Sequence, residues 1–181
     1  PPPPPLTSIY ASLPPMEFLR LVYPSMLREY AYWTSDLKQV RVAGANGTHL
    51  LARYNAELEG PRPESYTEDV RTARAAGFDP ERPSPACRQL WRDLASGAES
   101  GWDFGQRWFA DPAVGLPSIR TTQILPVDLN SFLLQAELAI ADVAAALGDA
   151  AEAERTRTFA EQRHAAVQEL MWDESGGRWR D

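Results

Sequence analysis

Ala98-Glu99-Ser100-Gly101-Trp102-Asp103-Phe104-Gly105-Gln106-Arg107-Trp108 is the stretch on which the reading of this chain turns. One carboxylate, Asp103, stands between two aromatic residues, with Trp108 close by, just after a helical pattern and a glycine. Rings that strip water from a carboxyl group disfavour its charged form. Such a group holds a proton near neutral pH and can act as a general acid. Aromatic residues beside carboxylates also suit sugars, because rings cover the apolar faces of a pyranose while polar groups take its hydroxyls. On composition alone the plainer reading comes first, a helix end with two core aromatics and a solvated aspartate.

Two further runs flank this one. Upstream lies Gly60-Pro61-Arg62-Pro63-Glu64-Ser65-Tyr66, and downstream lies Thr121-Thr122-Gln123-Ile124-Leu125-Pro126-Val127-Asp128-Leu129-Asn130. Pro63 fixes its own φ and biases Arg62 toward an extended backbone, so Arg62 and Glu64 are presented from a stiff segment. A guanidinium offers only donors and a carboxylate only acceptors, so the pair suits vicinal hydroxyls. A surface loop with a salt bridge is the alternative. Ser65 and Glu68 have the spacing of a capping box, which predicts that the loop is tied to a helix over Tyr66–Ala76 ended by Gly77.

These three runs, in this order and at about this spacing, resemble the trehalase family of glycosidases, as does the closing Met171-Trp172-Asp173-Glu174. The resemblance implies an all-α fold, part of an (α/α)6 barrel with small β-hairpin insertions, and hydrolysis of α,α-trehalose with inversion. It implies that Asp103 is the general acid, that Gly101 contacts substrate and that Arg62, Pro63 and Glu64 fall on substrate-binding positions. The second carboxylate of the family, a glutamate near the C-terminal end of the barrel, falls outside these residues. Residues 1–181 are accordingly expected to be the central portion of a single catalytic domain, incomplete at both ends, and inactive alone. Where the family has two serines after the phenylalanine, this chain has Gly105 and Gln106. A related (α/α)6 glycosidase acting on another glycoside, or a truncated sugar-binding or structural remnant, are the alternatives.

Composition bounds the chemistry. The 181 residues are 44% hydrophobic and 24% charged, the balance of a soluble globular chain. A net charge of −7 without a basic block argues against nucleic acid or an anionic membrane as partner, whereas a neutral sugar fits. One cysteine, Cys87, and two histidines, His49 and His164, form no metal-ligand pattern, so neither metal nor cofactor is expected. No secretory signal is visible, and no apolar run is read as a membrane span. Trehalases resembling this chain occur inside and outside cells, so the resemblance is to a soluble enzyme of either compartment.

The remaining elements follow from periodicity. Pro1–Pro5 favour an extended entry, Leu6–Leu13 a short helix, and Pro14-Pro15 a break. Apolar residues from Phe18 to Val40 repeat every three to four positions. Pro24 divides that pattern into a helix ending near Val22 and another beginning at Pro24. Val40–Leu51 reads as a small decorative hairpin turning at Asn46-Gly47, with His49 an exposed strand residue. Ser84-Pro85 opens a helix carrying Leu90, Trp91, Leu94 and Ala98 and stopping at Gly101. Asp128, before a strongly apolar run, suits a helix N-cap better than a second catalytic carboxylate. That helix ends at Gly148. Asp149 and Glu152 then cap a last helix from Ala150 to about Met171, with a solvated Glu- and Arg-rich face and with His164 a packing or rim residue rather than a base, and Trp172–Trp179 begins a second hairpin.

Overall fold

A computed structural model of the chain describes residues 15–102 and 104–181. The calls on Pro1–Pro5, Leu6–Leu13 and the side chain of Asp103 lie outside the described residues. Five helices carry the fold among those described: α1 (Pro15–Trp33), α2 (Tyr66–Ala75), α3 (Pro85–Glu99), α4 (Val127–Leu147) and α5 (Ala150–Met171). Two antiparallel hairpins accompany them, β1 (Gln39–Gly44) with β2 (Gly47–Ala52), and β3 (Trp172–Asp173) with β4 (Arg178–Trp179).

Helix ends fall where local chemistry puts them. The Ser84 hydroxyl accepts from the Cys87 amide to open α3, and the Asp149 carboxylate accepts from the Glu152 amide to open α5. Gly148 closes α4 in the left-handed conformation, at φ 86°, which a side chain would disfavour. With two residues between them, α4 and α5 fold back on each other as a helical hairpin and pack closely, with α1 laid against α4.

The division expected at Pro24 is overturned, because α1 runs through it. Proline removes one amide and frees the carbonyl four residues earlier. Both Pro24 and Arg20 are exposed, so water serves that carbonyl while the apolar stripe stays against α4.

The first hairpin is also more than decoration. Leu51 and Ala52, both fully buried, point to opposite faces of β2 and enter different clusters. Leu51 joins Ala166, Val167 and Met171 of α5, whereas Ala52 joins Cys87, Leu94, Trp108 and Leu133 in the main core. Its turn residues are Ala45 and Asn46, not Asn46-Gly47: Gly44 pairs with Gly47, and no non-glycine residue among those described has positive φ. Asn46 instead donates through its backbone and side-chain nitrogens to Glu169 of α5, at 3.1 and 2.9 Å. His49 is half-buried rather than exposed, its Nε2 lying 3.1 Å from the same carboxylate. Hydrogen bonds from Asn46, with His49 adding to them, hold the Glu169 carboxyl below the usual range.

By length and apolar content α4 alone among the described helices is capable of crossing a membrane, which the sequence reading missed. Its buried face carries Asn130 and Glu137, both paired inside the protein, so α4 is a core helix here. Arg163 likewise departs from the solvated face expected for α5. It is buried, with Nε 2.9 and 3.0 Å from the two Glu137 oxygens and Nη1 3.0 Å from Asn130 Oδ1. His164, one residue on, is exposed.

Candidate active site

Pro63 opens a single 3-10 turn, Pro63–Ser65, that leads directly into α2. Arg62 precedes it with φ −62° and ψ 134°, the extended backbone expected before proline. No side-chain bond from Ser65 caps α2, so the capping box is absent. Asp69 does that work: its carboxylate accepts from the Arg62 amide at 2.9 Å, from Nε at 2.9 Å and from Nη2 at 2.7 Å. Arg62 is only 7% exposed and Asp69 1%, so this is a buried, bidentate ion pair of fixed geometry. Glu64 and Pro63, in contrast, are exposed, and Glu64 makes no hydrogen bond among the described residues. The two charges of the loop therefore differ: Arg62 is anchored in the protein and Glu64 is open to a ligand.

The central stretch begins where α3 ends. Ser100 closes the helix and Gly101 takes φ 72°, as a glycine stop requires. The Trp102 carbonyl accepts from the Gly105 amide at 3.0 Å and from the Trp108 indole at 2.9 Å, so the segment is drawn together on both sides of Asp103. The three aromatics are not equivalent. Trp108 is fully buried, Phe104 is half-buried and Trp102 is 56% exposed. Trp108 is also the end of an edge-to-face series, with Tyr54 at 6.0 Å and Trp33 a further 5.7 Å on.

Phe104 connects the two motifs. A Cβ at Gly97 of α3 would lie 3.0 and 3.1 Å from its ring, so the glycine leaves the notch in which Phe104 sits. The Arg62 guanidinium lies 5.1 Å from the centre of that ring, within cation–π range. The Arg62–Glu64 loop and the residue following Asp103 are thus in contact.

Charged groups that sequence reasoning left without a role fix both ends of the stretch. At its start, Glu99 Oε1 accepts from Lys38 Nζ and the Tyr32 hydroxyl, and Oε2 accepts from the Asn55 amide. Burial, and then this bond to Glu99, raise the Tyr32 phenol above its ordinary range. Beyond it, Arg107 reaches Asp128 at 2.9 Å and Asp181 at 2.6 Å. Burial opposes the Arg107 charge, but the two carboxylates outweigh it and hold its pKa above the ordinary value. Asp128 is therefore not the N-cap. Pro126 holds that position, and Asp128, in the first turn of α4, is the ion-pair partner of Arg107. A cavity of about 690 Å³ opens elsewhere, among α1, the first hairpin and α5, and contains none of the candidate residues.

The sequence model of the trehalase family matches residues 3–181. The chain belongs to the trehalase family. Among its relatives, "Trehalase" of Oryctolagus cuniculus is 38% identical over 172 residues, covering 92% of this chain and 28% of that protein. "Periplasmic trehalase" of Escherichia coli O1:K1 / APEC is 37% identical over 170 residues, covering 90% of this chain and 29% of the relative. "Periplasmic trehalase" of Salmonella newport (strain SL254) is 38% identical with the same coverage. The chain thus spans less than a third of the length of these trehalases. Its helices and small hairpins are those of an all-α piece of the family's (α/α)6 barrel.

Proposed function

We propose that the protein carrying this chain hydrolyses α,α-trehalose to two glucose molecules with inversion, and that residues 1–181 are the central portion of a single catalytic domain. In an inverting glycosidase one carboxylic acid protonates the leaving oxygen while a second carboxylate, roughly 6.5–9.5 Å away, activates a water on the opposite face. Asp103 takes the first role, and the base lies outside the 181 residues. Glu64, exposed and unbonded among the described residues, accepts from sugar hydroxyls, and Gly101 lets the sugar approach the backbone without a side chain in the way. Arg62, with Pro63 behind it, supplies positive charge and fixes the loop. The observation that carries this reading is the packing of the Arg62 guanidinium on Phe104, which sets the Arg62–Glu64 loop against the neighbour of Asp103.

The test is glucose release from trehalose, with the anomers resolved, by the 181-residue chain and by a version extended through its flanking coding sequence. Activity of the extended protein, with β-glucose appearing beside α-glucose, is the expected result. In that protein Asp103→Asn lowers turnover by about 10²–10⁴-fold while trehalose binding persists. Undiminished turnover removes Asp103 from the mechanism, and no release from either version rejects trehalose as substrate.

A further inference from the structure

Lys38 belongs to none of the sequence motifs, yet its side chain is fully buried. Its ammonium donates to the Asn55 carbonyl at 2.8 Å and to Glu99, and lies 4.6 and 5.1 Å from the rings of Tyr32 and Trp33. Glu99 is the last residue of α3, and Ser100, Gly101 and Trp102 leave the helix directly after it. Every donor to its carboxylate comes from outside that helix: Lys38 and Tyr32 from the end of α1 and the turn after it, and Asn55 from the loop that leads to Arg62. Burying an ion pair gains little stability over an apolar pair of the same size, but it fixes the orientation of both groups.

We propose that the Lys38–Glu99 pair is a positioning device that sets the direction in which the Asp103 segment leaves α3. This rests on the trehalase reading for its catalytic consequence, though not for its structural one. The segment between Glu99 and Arg107 is tied at its start by this pair and at its end by Asp128 and Asp181. Between them the Trp102 carbonyl gathers the Gly105 amide and the Trp108 indole. With the far end fixed, loosening Glu99 frees the near end without unfolding the core.

Hydrogen exchange on the 181-residue chain tests the structural part. In Lys38→Met, and in Glu99→Gln should the first variant not fold, the Gly105 amide and the Trp108 indole exchange at least about tenfold faster, while the Leu133 and Ile140 amides in α4 are unchanged. Arg88→Gln, exposed on the same helix, is the control and changes neither. Equal acceleration at all these sites, or none, overturns the proposal. In the extended protein the same variants lower kcat at least about tenfold with KM within about threefold, because the acid and the Gly101 backbone are misplaced while the Arg62–Glu64 loop stays held by Asp69. Selective exchange with unchanged kcat also overturns the positioning role. An extended wild-type protein that does not hydrolyse trehalose refutes the proposed function instead, and the exchange result still decides whether Lys38 holds the segment.

Discussion

Arg163→Met removes a guanidinium from a place where little else neutralises Glu137. Arg163 makes three contacts within 3.0 Å to the Glu137 carboxylate and one to Asn130, and Glu137 has no solvent exposure. After the substitution the Tyr30 hydroxyl, at 2.8 Å, is the remaining donor to a buried carboxylate. Breaking a buried pair from one side costs about 3–5 kcal/mol. Set against a typical total of about 5–15 kcal/mol, that is a large share. Methionine fills most of the volume, so the loss comes from the stranded charge and not from a cavity. Urea unfolding followed by circular dichroism reads it as a lower midpoint at unchanged slope. The double variant Arg163→Met/Glu137→Met removes both charges and is expected to recover most of the deficit, because two apolar side chains replace the pair. Tyr30 then loses its acceptor, so recovery is incomplete. A loss below about 1 kcal/mol in the single variant, or a double variant as unstable as the sum of the singles, refutes the argument.

Three further substitutions or conditions bear on the site and its support. Gly97→Ala gains about 1 kcal/mol of helix propensity but drives its methyl into Phe104, and overpacking costs about 1–3 kcal/mol; a net loss of stability is expected by thermal unfolding, with a larger loss of any sugar binding. Gly105→Ser introduces a side chain where a Cβ meets nothing closer than 3.7 Å and φ is −68°, so the melting temperature should hold or rise, by no more than about 1 kcal/mol in stability. The Tyr54 phenol is pushed up to about 12, first by burial and then by the charge of Asp128. Its unfolded value is near 10, so its contribution is intact below pH 10 and is lost as pH climbs toward 12, by about 3 kcal/mol in all. Urea midpoints between pH 9 and pH 12 measure this, and Tyr54→Phe should flatten part of the fall.

Local pattern carried the helices and their ends, because caps and stripes are decided by residues three or four apart. Ser84, Gly101, Gly148 and Asp149 act as read. The misreadings have a common cause in distant partners. Ser65 and Glu68 match a cap, but the buried Arg62 side chain selected Asp69 instead. Arg163 stands among solvated charges in sequence, and only Glu137 on the facing helix explains its burial. Pro24 was read as a break because proline's effect was judged without knowing which carbonyl it would orphan and that this carbonyl is wet. Of the candidate residues, the resemblance assigned Arg62, Pro63, Glu64, Gly101 and Asp103 to one site, whereas the contact of Arg62 with Phe104, and of Lys38 with Glu99 across 61 residues, lies beyond any periodic signal.

Helix α3 shows how one element can join all three motifs. Its apolar stripe, Leu90, Trp91 and Leu94, was legible and seats the helix in the core. A second stripe, Asp93, Ser96 and Glu99, recurs every three residues and therefore lies along one side. Asp93 accepts from the Thr122 amide at 2.7 Å, Ser96 from the Ala56 amide at 2.9 Å and Glu99 from the Asn55 amide. Gly97, within the same turns, receives Phe104. The segment opening the third motif, the loop leading into the first and the residue after Asp103 are thus each tied to the same few turns of helix. Polar side chains on a packed helix weaken a purely apolar core, and each of these accepts from a loop amide instead of from another member of the stripe. Their placement makes sense as a means of holding irregular backbone in register, which a site assembled from three separate loops requires.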